Sequence, residues 1–375
     1  MKKLDRKKHC GILFAAAYAL CLADSLLTAY STFSALKHVG RISDGLCAMA
    51  GFLMLAKLAL DGDYTPRTLI KTGAAGLLLA VTFFSSRYDH LYYLMLMVAG
   101  IRKTEMEKIV RLDFKLRLGL CAVIMVSGLT GVIENYVTWR TGSDVLRYSV
   151  GFNHPNTLAS MAFSLILEDL WLRKRKFSLK YAGIVWGIAA AVYVITQNRT
   201  AVLLMLLLPF ALLFVNRQGE KSIAGCERQV YLWAFAAAAV FSVLMMLLTD
   251  YCAPVNAVDE LLSNRFHNAY RVYRNHGISL LGQRVKLVSV KMARLENTSI
   301  ALLDIAYLRA LIQAGPLVLA LTAFAAFGIC ESGYNNVFMN FSLLFMAEAL
   351  HLPMNDRGGL LKEMSRWRES FGSKR

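Results

Sequence analysis

Three clusters of polar residues interrupt the apolar stretches of this sequence, and they contain the side chains best suited to chemistry. The first cluster runs from Arg147 to Asn156 and leads directly into an apolar run. Pro155 fits the first turn of a helix there, with Asn153 or His154 as the cap. The backbone N–H groups at a helix start attract anions, so this cluster indicates either an anion site or simple helix capping.

The second cluster is the short link Gln197–Thr200 between two long apolar runs. So tight a hairpin would hold Arg199 at or just below a membrane surface, where a charge is costly unless it has a partner. Arg199 would then bind an anion, or it would extend its charged end toward water as a lone interfacial arginine does.

The third cluster is Asp304–Gly315, which also opens an apolar run. In a helix, Asp304, Tyr307 and Leu308 would share one face. An acid in this place is a candidate general base for a hydroxyl group, or the partner of an arginine in a structural ion pair.

The long segment 250–303 before the third cluster is polar and basic. It has four acids and the following seven basic residues: Arg265, Arg271, Arg274, Arg284, Lys286, Lys291 and Arg294. Phe266 and Tyr270 fall on one helical face and Arg271 and Arg274 on the other, the pattern of a helix that lies in a membrane interface. The segment therefore indicates an anionic partner, or ordinary contact with lipid headgroups.

The elements that must position these residues are long apolar segments. Hydrophobic residues make up 57% of the 375 residues, charged residues 18%, and the mean hydropathy is +0.46. Since a spanning helix needs about 20 mostly apolar residues, the predicted spans are 11–32, 43–60, 67–84, 88–101, 116–136, 152–171, 180–197, 199–216, 229–249, 304–330 and 334–352. The sequence predicts an all-α multi-pass transmembrane protein of about 10–12 spans. It would be a single polytopic domain over 1–375 with one large extracytoplasmic loop at 250–303.

This composition excludes a soluble globular enzyme, a secreted disulfide scaffold and a disordered chain, and solid apolar runs exclude a β-barrel. The seven cysteines form no CxxC pair, no metal-binding cluster of carboxylates is visible, and no nucleotide-binding motif is present. We expect no metal, no cofactor and no nucleic-acid partner.

Charge orients the predicted spans. The net charge is +17, and basic residues collect after the fourth, sixth and eighth spans, which places these loops and the N-terminus in the cytoplasm. The three polar clusters and segment 250–303 would then face outside. Eleven spans would also put the basic tail 356–375 outside, so either one span is miscounted or the last segment does not cross.

Taken in order, the motifs resemble those of bacterial polysaccharide repeat-unit polymerases. The resemblance is to the Wzy-like members of the O-antigen ligase and polymerase superfamily, of the Gram-positive capsule and exopolysaccharide type. The matching motifs are Arg147 with Gly151–Leu158, then Gln197–Ala201, Leu262–Phe266, and Asp304 with Tyr307, Leu311 and Gly315. The resemblance extends from about Arg102 to Glu348, most of the chain.

The resemblance implies a membrane-embedded glycosyltransferase of the C type, in the plasma membrane of a bacterial cell. It would polymerise undecaprenyl-pyrophosphate-linked oligosaccharide repeat units into capsule or exopolysaccharide on the outer leaflet, without a metal. Its partners would be that lipid-linked oligosaccharide, the lipid bilayer, and the flippase and chain-length regulator of the same pathway.

The resemblance also implies roles by position. Arg199 and Arg265 would act with Asp304 in catalysis, where Asp304 orients or deprotonates the acceptor hydroxyl. The substrate-binding residues would be Arg147, His154, Asn156, Arg271 and Tyr307. Fixed guanidinium groups suit this chemistry, because a pyrophosphate leaving group gains negative charge as the sugar–oxygen bond breaks.

Three alternatives stay open. A ligase would transfer a finished glycan to another acceptor through the same donor half. A transporter of polysaccharide or lipid-linked sugar would have internal repeats and charges deep in its spans. The sequence shows no repeat, and the main charged residues deep in spans are Asp24 and Lys57, with Glu348 a further buried-looking acid. In a structural or assembly protein, the arginines would serve only lipid contacts.

Overall fold

The computed structural model describes residues 3–62, 64–102, 104–139, 144–173, 178–217, 237–262, 264–288 and 301–321. These residues are predominantly α-helical and divide into two compact units. The first unit contains the described residues up to Tyr64 and those from Gly100 to residue 217. The second unit contains the described residues from Thr65 to Ala99 and those from residue 237 to residue 321.

The first unit is a set of six packed helices. They are α1 (Lys3–Asp24), α2 (Val39–Asp61), α5 (Met106–Leu129), α6 (Pro155–Leu172), α7 (Leu179–Thr196) and α8 (Arg199–Arg217). Helix α1 packs against α2 and α5, and α6 packs against α5, α7 and α8. A π-helical turn, Ser25–Ala29, continues α1, and a 3₁₀ turn, Thr32–Ala35, precedes α2.

The fold of the described residues is all-α as predicted, apart from a short β-hairpin that lies between α5 and α6. Strands β1 (Val137–Trp139) and β2 (Leu146–Tyr148) pair in antiparallel fashion, with Thr138 opposite Arg147. After the hairpin, Gly151 adopts a φ of +85°, and a Cβ there would lie 2.4 Å from the carbonyl oxygen of Ile124 on α5. A glycine is required at this contact because no side chain fits.

The second unit is built from α3 (Pro66–Ser86), α4 (His90–Gly100), α9 (Ala237–Leu248), α10 (Ala253–Leu261), α11 (Arg265–His276) and α12 (Ala306–Leu321). Helix α12 contains a π-helical turn at Ala310–Ala314 and packs against α3. The axes of α9 and α10 differ by 113° across a short break.

Four helices among the described residues are long and apolar enough to cross a membrane. They are Arg6–Ala29, Val39–Asp61, Pro66–Ser86 and Leu179–Thr196, and the bent pair α9–α10 would make a fifth. Shorter apolar helices are His90–Gly100, Arg199–Phe210 and Ala306–Leu321. These helices suggest a membrane protein.

The helices agree with most predicted spans, with one clear correction. Helix α5 begins at Met106 rather than at residue 116, so its charged first turns are helical and not loop. The predicted span 334–352, the first part of 229–249, the last part of 304–330, Glu348 and the tail lie outside the described residues.

Helix α11 confirms the predicted amphipathic pattern but not the interpretation of its apolar face. Phe266, Ala269 and Tyr270 are buried in a core cluster with Met246 of α9 and Leu308 of α12. The apolar face is therefore covered by the protein's own side chains rather than by lipid. Arg271 and Arg274 are exposed on the opposite face.

Candidate functional site

The N-terminus of α6 is fixed by its own cap and by the chain after α1. His154, not Asn153, is the cap, because its Nδ1 accepts a hydrogen bond from the Asn156 backbone N–H at 3.1 Å. Pro155 occupies the first turn as predicted. Asn153 instead donates its side-chain N–H to the Ala29 carbonyl oxygen at 2.6 Å. These contacts hold the start of α6 against the end of the π-helical turn.

Arg147 on β2 connects the hairpin to two helix ends. Its Nε donates to the Thr196 carbonyl oxygen, at the end of α7, at 2.7 Å. Its Nη2 donates to Asn156 Oδ1 in the first turn of α6. Arg147 is half-buried, so its guanidinium is held in one orientation by these contacts.

Asn198 connects the start of α8 to the start of α6. Its Oδ1 accepts the Ala201 backbone N–H at 3.0 Å and caps α8, while its Nδ2 donates to Asn156 Oδ1 at 3.1 Å. The preceding Gln197 is left-handed, with a φ of 51°, which makes the tight link between α7 and α8. Arg199 is exposed at the first position of α8 and makes no hydrogen bond or ion pair with other described residues.

We call Arg147, His154, Asn156, Asn198 and Arg199 the α6–α8 cluster. It places two helix N-termini side by side with one oriented and one exposed guanidinium. Helix N-termini and guanidinium groups both favour anions, and together they suit a phosphate group. The sequence analysis missed Asn198, whose only signal was its place one residue before Arg199 in a tight hairpin.

The other predicted residues lie in the second unit. Arg265 is half-buried and Arg271 exposed on α11, but the N-terminus of α11 is not free for an anion. Asp259 already accepts hydrogen bonds there from the backbone N–H groups of Phe266 (2.9 Å) and His267 (2.8 Å). The arginine side chains, and not the helix start, are thus what α11 offers to an anionic ligand.

Asp304 is not on a helical face with Tyr307 and Leu308, which corrects that expectation. Asp304 precedes the first residue of α12, is half-exposed, and makes no hydrogen bond or ion pair with other described residues. Tyr307 and Leu308 are fully buried. Phe266 and Ile305 belong to one core cluster, so the segments that carry Arg265 and Asp304 flank the same core.

An Asp–His pair on the second unit escaped the sequence analysis. His267 Nδ1 lies 3.0 Å from Asp250 Oδ1, and both side chains are partly exposed. They line an open cavity of about 370 Å³ with Thr249, Asn256, Asp259, Glu260 and Asn264. An imidazole held by a carboxylate can accept a proton from a hydroxyl, and the acidic lining disfavours a phosphate there.

Both charged residues expected deep in spans are buried and partnered. Lys57 lies 3.4 Å from Asp61 and donates to the Arg102 carbonyl oxygen at 2.7 Å. Asp24 accepts a hydrogen bond from Cys47 Sγ at 3.1 Å. Beside Asp61, burial raises the pKa of Tyr64 to about 12.

The sequence analysis also missed a second buried charged group, formed by Asp113, Arg117 and Glu168. All three side chains are fully buried where α5 packs against α6. The four-residue spacing of Asp113 and Arg117 was the available signal.

Arg147, His154, Asn156 and Arg199 lie in the first unit, whereas Arg265, Arg271, Asp304 and Tyr307 lie in the second. The structure brings the first set together, and its convergence with the second set stays a prediction. Among the described residues, no group of three or more His, Cys, Asp or Glu side chains is placed to hold a metal ion.

Comparison with protein-family models, with curated proteins and with solved structures finds no match for this chain.

Proposed function

We propose that this chain is a multi-pass membrane glycosyltransferase that polymerises undecaprenyl-pyrophosphate-linked repeat units on the outer leaflet of a bacterial plasma membrane. The observation that carries the proposal is the α6–α8 cluster, an anion-attracting surface at the ends of apolar helices. The four long apolar helices and the bent pair support the multi-pass arrangement. The basic N-terminal segment and the charged start of α5 would face the cytoplasm.

In this proposal the α6–α8 cluster binds the pyrophosphate of the donor. Arg199 is exposed and forms bidentate hydrogen bonds with phosphate oxygens, while Arg147 is already oriented by Thr196 and Asn156. As the sugar–oxygen bond breaks, the leaving pyrophosphate gains charge. Guanidinium groups fixed at a low-dielectric boundary stabilise that charge without having to reorganise.

The acceptor hydroxyl attacks the anomeric carbon of the donor. A new glycosidic bond forms, the bond to pyrophosphate breaks, and the hydroxyl proton passes to a base. We assign the base to Asp304, whose half-exposed carboxylate makes no hydrogen bond with other described residues. For Arg265 and Arg271, in the second unit, the proposal rests on the sequence resemblance alone, which assigns them to contacts with the pyrophosphate or the sugar.

The test is complementation of a host that lacks its own copy of this protein. Arg199→Ala should abolish the ladder of polymerised glycan on a gel and cause single lipid-linked repeats to accumulate. Arg111→Ala is the matched control, because Arg111 is also exposed at the start of a helix but pairs with Glu107 at 2.8 Å. A normal ladder from Arg199→Ala would contradict the proposal.

The same gel separates polymerase from ligase. A polymerase produces a ladder of repeats, and its loss leaves single repeats on the lipid carrier. If the protein is a ligase, its loss should leave the finished polymer on the lipid carrier and prevent only its transfer to the final acceptor.

A further inference from the structure

A buried group of charged side chains between α5 and α6 contains two acids and one base. Arg117 on α5 is fully buried together with Asp113, one turn earlier, and Glu168 on α6. Arg117 Nη2 donates to both carboxylate oxygens of Asp113 at 2.9 Å. Arg117 Nε lies 2.9 Å from Glu168 Oε1. Two carboxyl groups thus face one guanidinium, which leaves one excess negative charge if both are ionised.

The two carboxyl groups are not equally stabilised. Asp113 accepts two hydrogen bonds from Arg117 Nη2, whereas Glu168 has only the 2.9 Å approach of Arg117 Nε to one of its oxygens. A fully buried carboxylate with so little compensation is strongly disfavoured beside a second carboxylate, so the neutral acid is favoured at Glu168.

Among the described residues, neighbouring groups do not supply the missing positive charge. The other titratable side chains that interact with this group are Tyr18 on α1 and Cys121 on α5, a phenol and a thiol. Arg117 Nη1 points at the Met161 sulfur, 3.4 Å away. A proton is therefore the simplest ligand that neutralises the site.

We propose that Asp113, Arg117 and Glu168 form a proton-binding site, in which Glu168 holds the proton. The site joins α5 to α6 and contacts α1 through Tyr18. The folded protein would bind one proton more than the unfolded chain near neutral pH. Its stability would fall as the pH rises, because loss of this proton leaves an unneutralised charge in the interior.

The first test compares Glu168→Gln with Asp113→Asn in the full-length protein reconstituted in lipid nanodiscs. Gln replaces a neutral acid, so the midpoint of thermal unfolding of Glu168→Gln at neutral pH should stay within about 2 °C of the wild type, whereas Asp113→Asn should lower it by about 5 °C or more. Raising the pH to about 9 should destabilise the wild type and the exposed control Glu107→Gln, but not Glu168→Gln. If Glu168→Gln at neutral pH loses as much stability as Asp113→Asn, Glu168 is ionised and the proposal is wrong.

Infrared difference spectroscopy keeps the proposal testable if Asp113→Asn does not fold. When the pH is raised, the difference spectrum of the wild type should show the loss of a protonated carboxylic acid band. Glu168→Gln should lack this signal, whereas Glu107→Gln should retain it. The absence of such a band from the wild type, or its persistence in Glu168→Gln, would overturn the proposal.

Discussion

Asn156 is the residue on which the contacts of the α6–α8 cluster meet, because its Oδ1 accepts from both Arg147 and Asn198. Asn156→Ala leaves both donors without this acceptor and should lower the free energy of unfolding by about 1–3 kcal/mol. Asn156→Asp retains the acceptor but adds a negative charge, so it should fold normally and lose polymer by repelling the pyrophosphate. Thermal unfolding and glycan gels of both variants check this. Full polymer from Asn156→Asp would contradict an anion site here.

Asp304 and His267 are the two described candidates for the base, and they can be separated by kinetics. Asp304→Asn should reduce the rate of polymerisation about 100-fold or more, the usual contribution of a general base, and leave donor binding unchanged. His267→Ala, which removes the contact with Asp250, should reduce the rate much less. The reverse ranking of the two variants would move the base to the Asp250–His267 pair.

Gly151 allows the chain after the hairpin that carries Arg147 to pack closely against α5. Its Cβ would lie 2.4 Å from the Ile124 carbonyl oxygen, and Gly128 on α5 faces the same contact from the other side. Gly151→Ala should therefore destabilise the protein by about 2 kcal/mol or more, through both the clash and the positive φ. Gly183→Ala is the control, because Gly183 lies in α7 with open space around it. Equal unfolding midpoints for the two variants would show that the contact between Gly151 and α5 does not contribute to stability.

At the scale of elements, the sequence predicts helices well where apolar runs are continuous and polar breaks are sharp. The link at Gln197 and the start of α6 at Pro155 could be predicted because their signals are local. The start of α5 was missed because its first turns are charged, so the apolar run begins later than the helix. The pairing of Arg117 with Glu168 depends on a contact distant in the chain that no local pattern encodes. The two strands of the β-hairpin have only 3 residues each, too few to show an alternating pattern of their own.

For the candidate site, residue types were easier to predict than geometry. Arg147, His154 and Asn156 could be singled out as one segment, but the hydrogen bond from Asn198 to Asn156 joins the start of α6 to the link between α7 and α8. Asp304 lies before α12 rather than within it, and Ile305 and Leu308 after it pack in the core. Such tertiary packing is not visible in the local sequence.

The arrangement of the whole chain across a membrane is tested by labelling single cysteines. With the seven native cysteines replaced, Asp144→Cys should react in intact cells with a maleimide that cannot cross membranes. Glu107→Cys should react only after the cells are permeabilised, since the proposed orientation puts the start of α5 in the cytoplasm. Both positions are exposed. Labelling of both in intact cells, or of neither, would contradict this arrangement.

Direct measurement of binding between purified protein and undecaprenyl pyrophosphate tests whether the α6–α8 cluster binds the diphosphate. Arg199→Ala should weaken binding by about tenfold or more, since a charged hydrogen bond contributes about 1.5–3 kcal/mol. Arg199→Lys should lose part of that affinity because Lys lacks the bidentate fork, and Arg111→Ala should bind like the wild type. Free pyrophosphate should compete with the lipid in the wild type. Equal affinities for wild type and Arg199→Ala would contradict the central claim that the α6–α8 cluster binds the diphosphate.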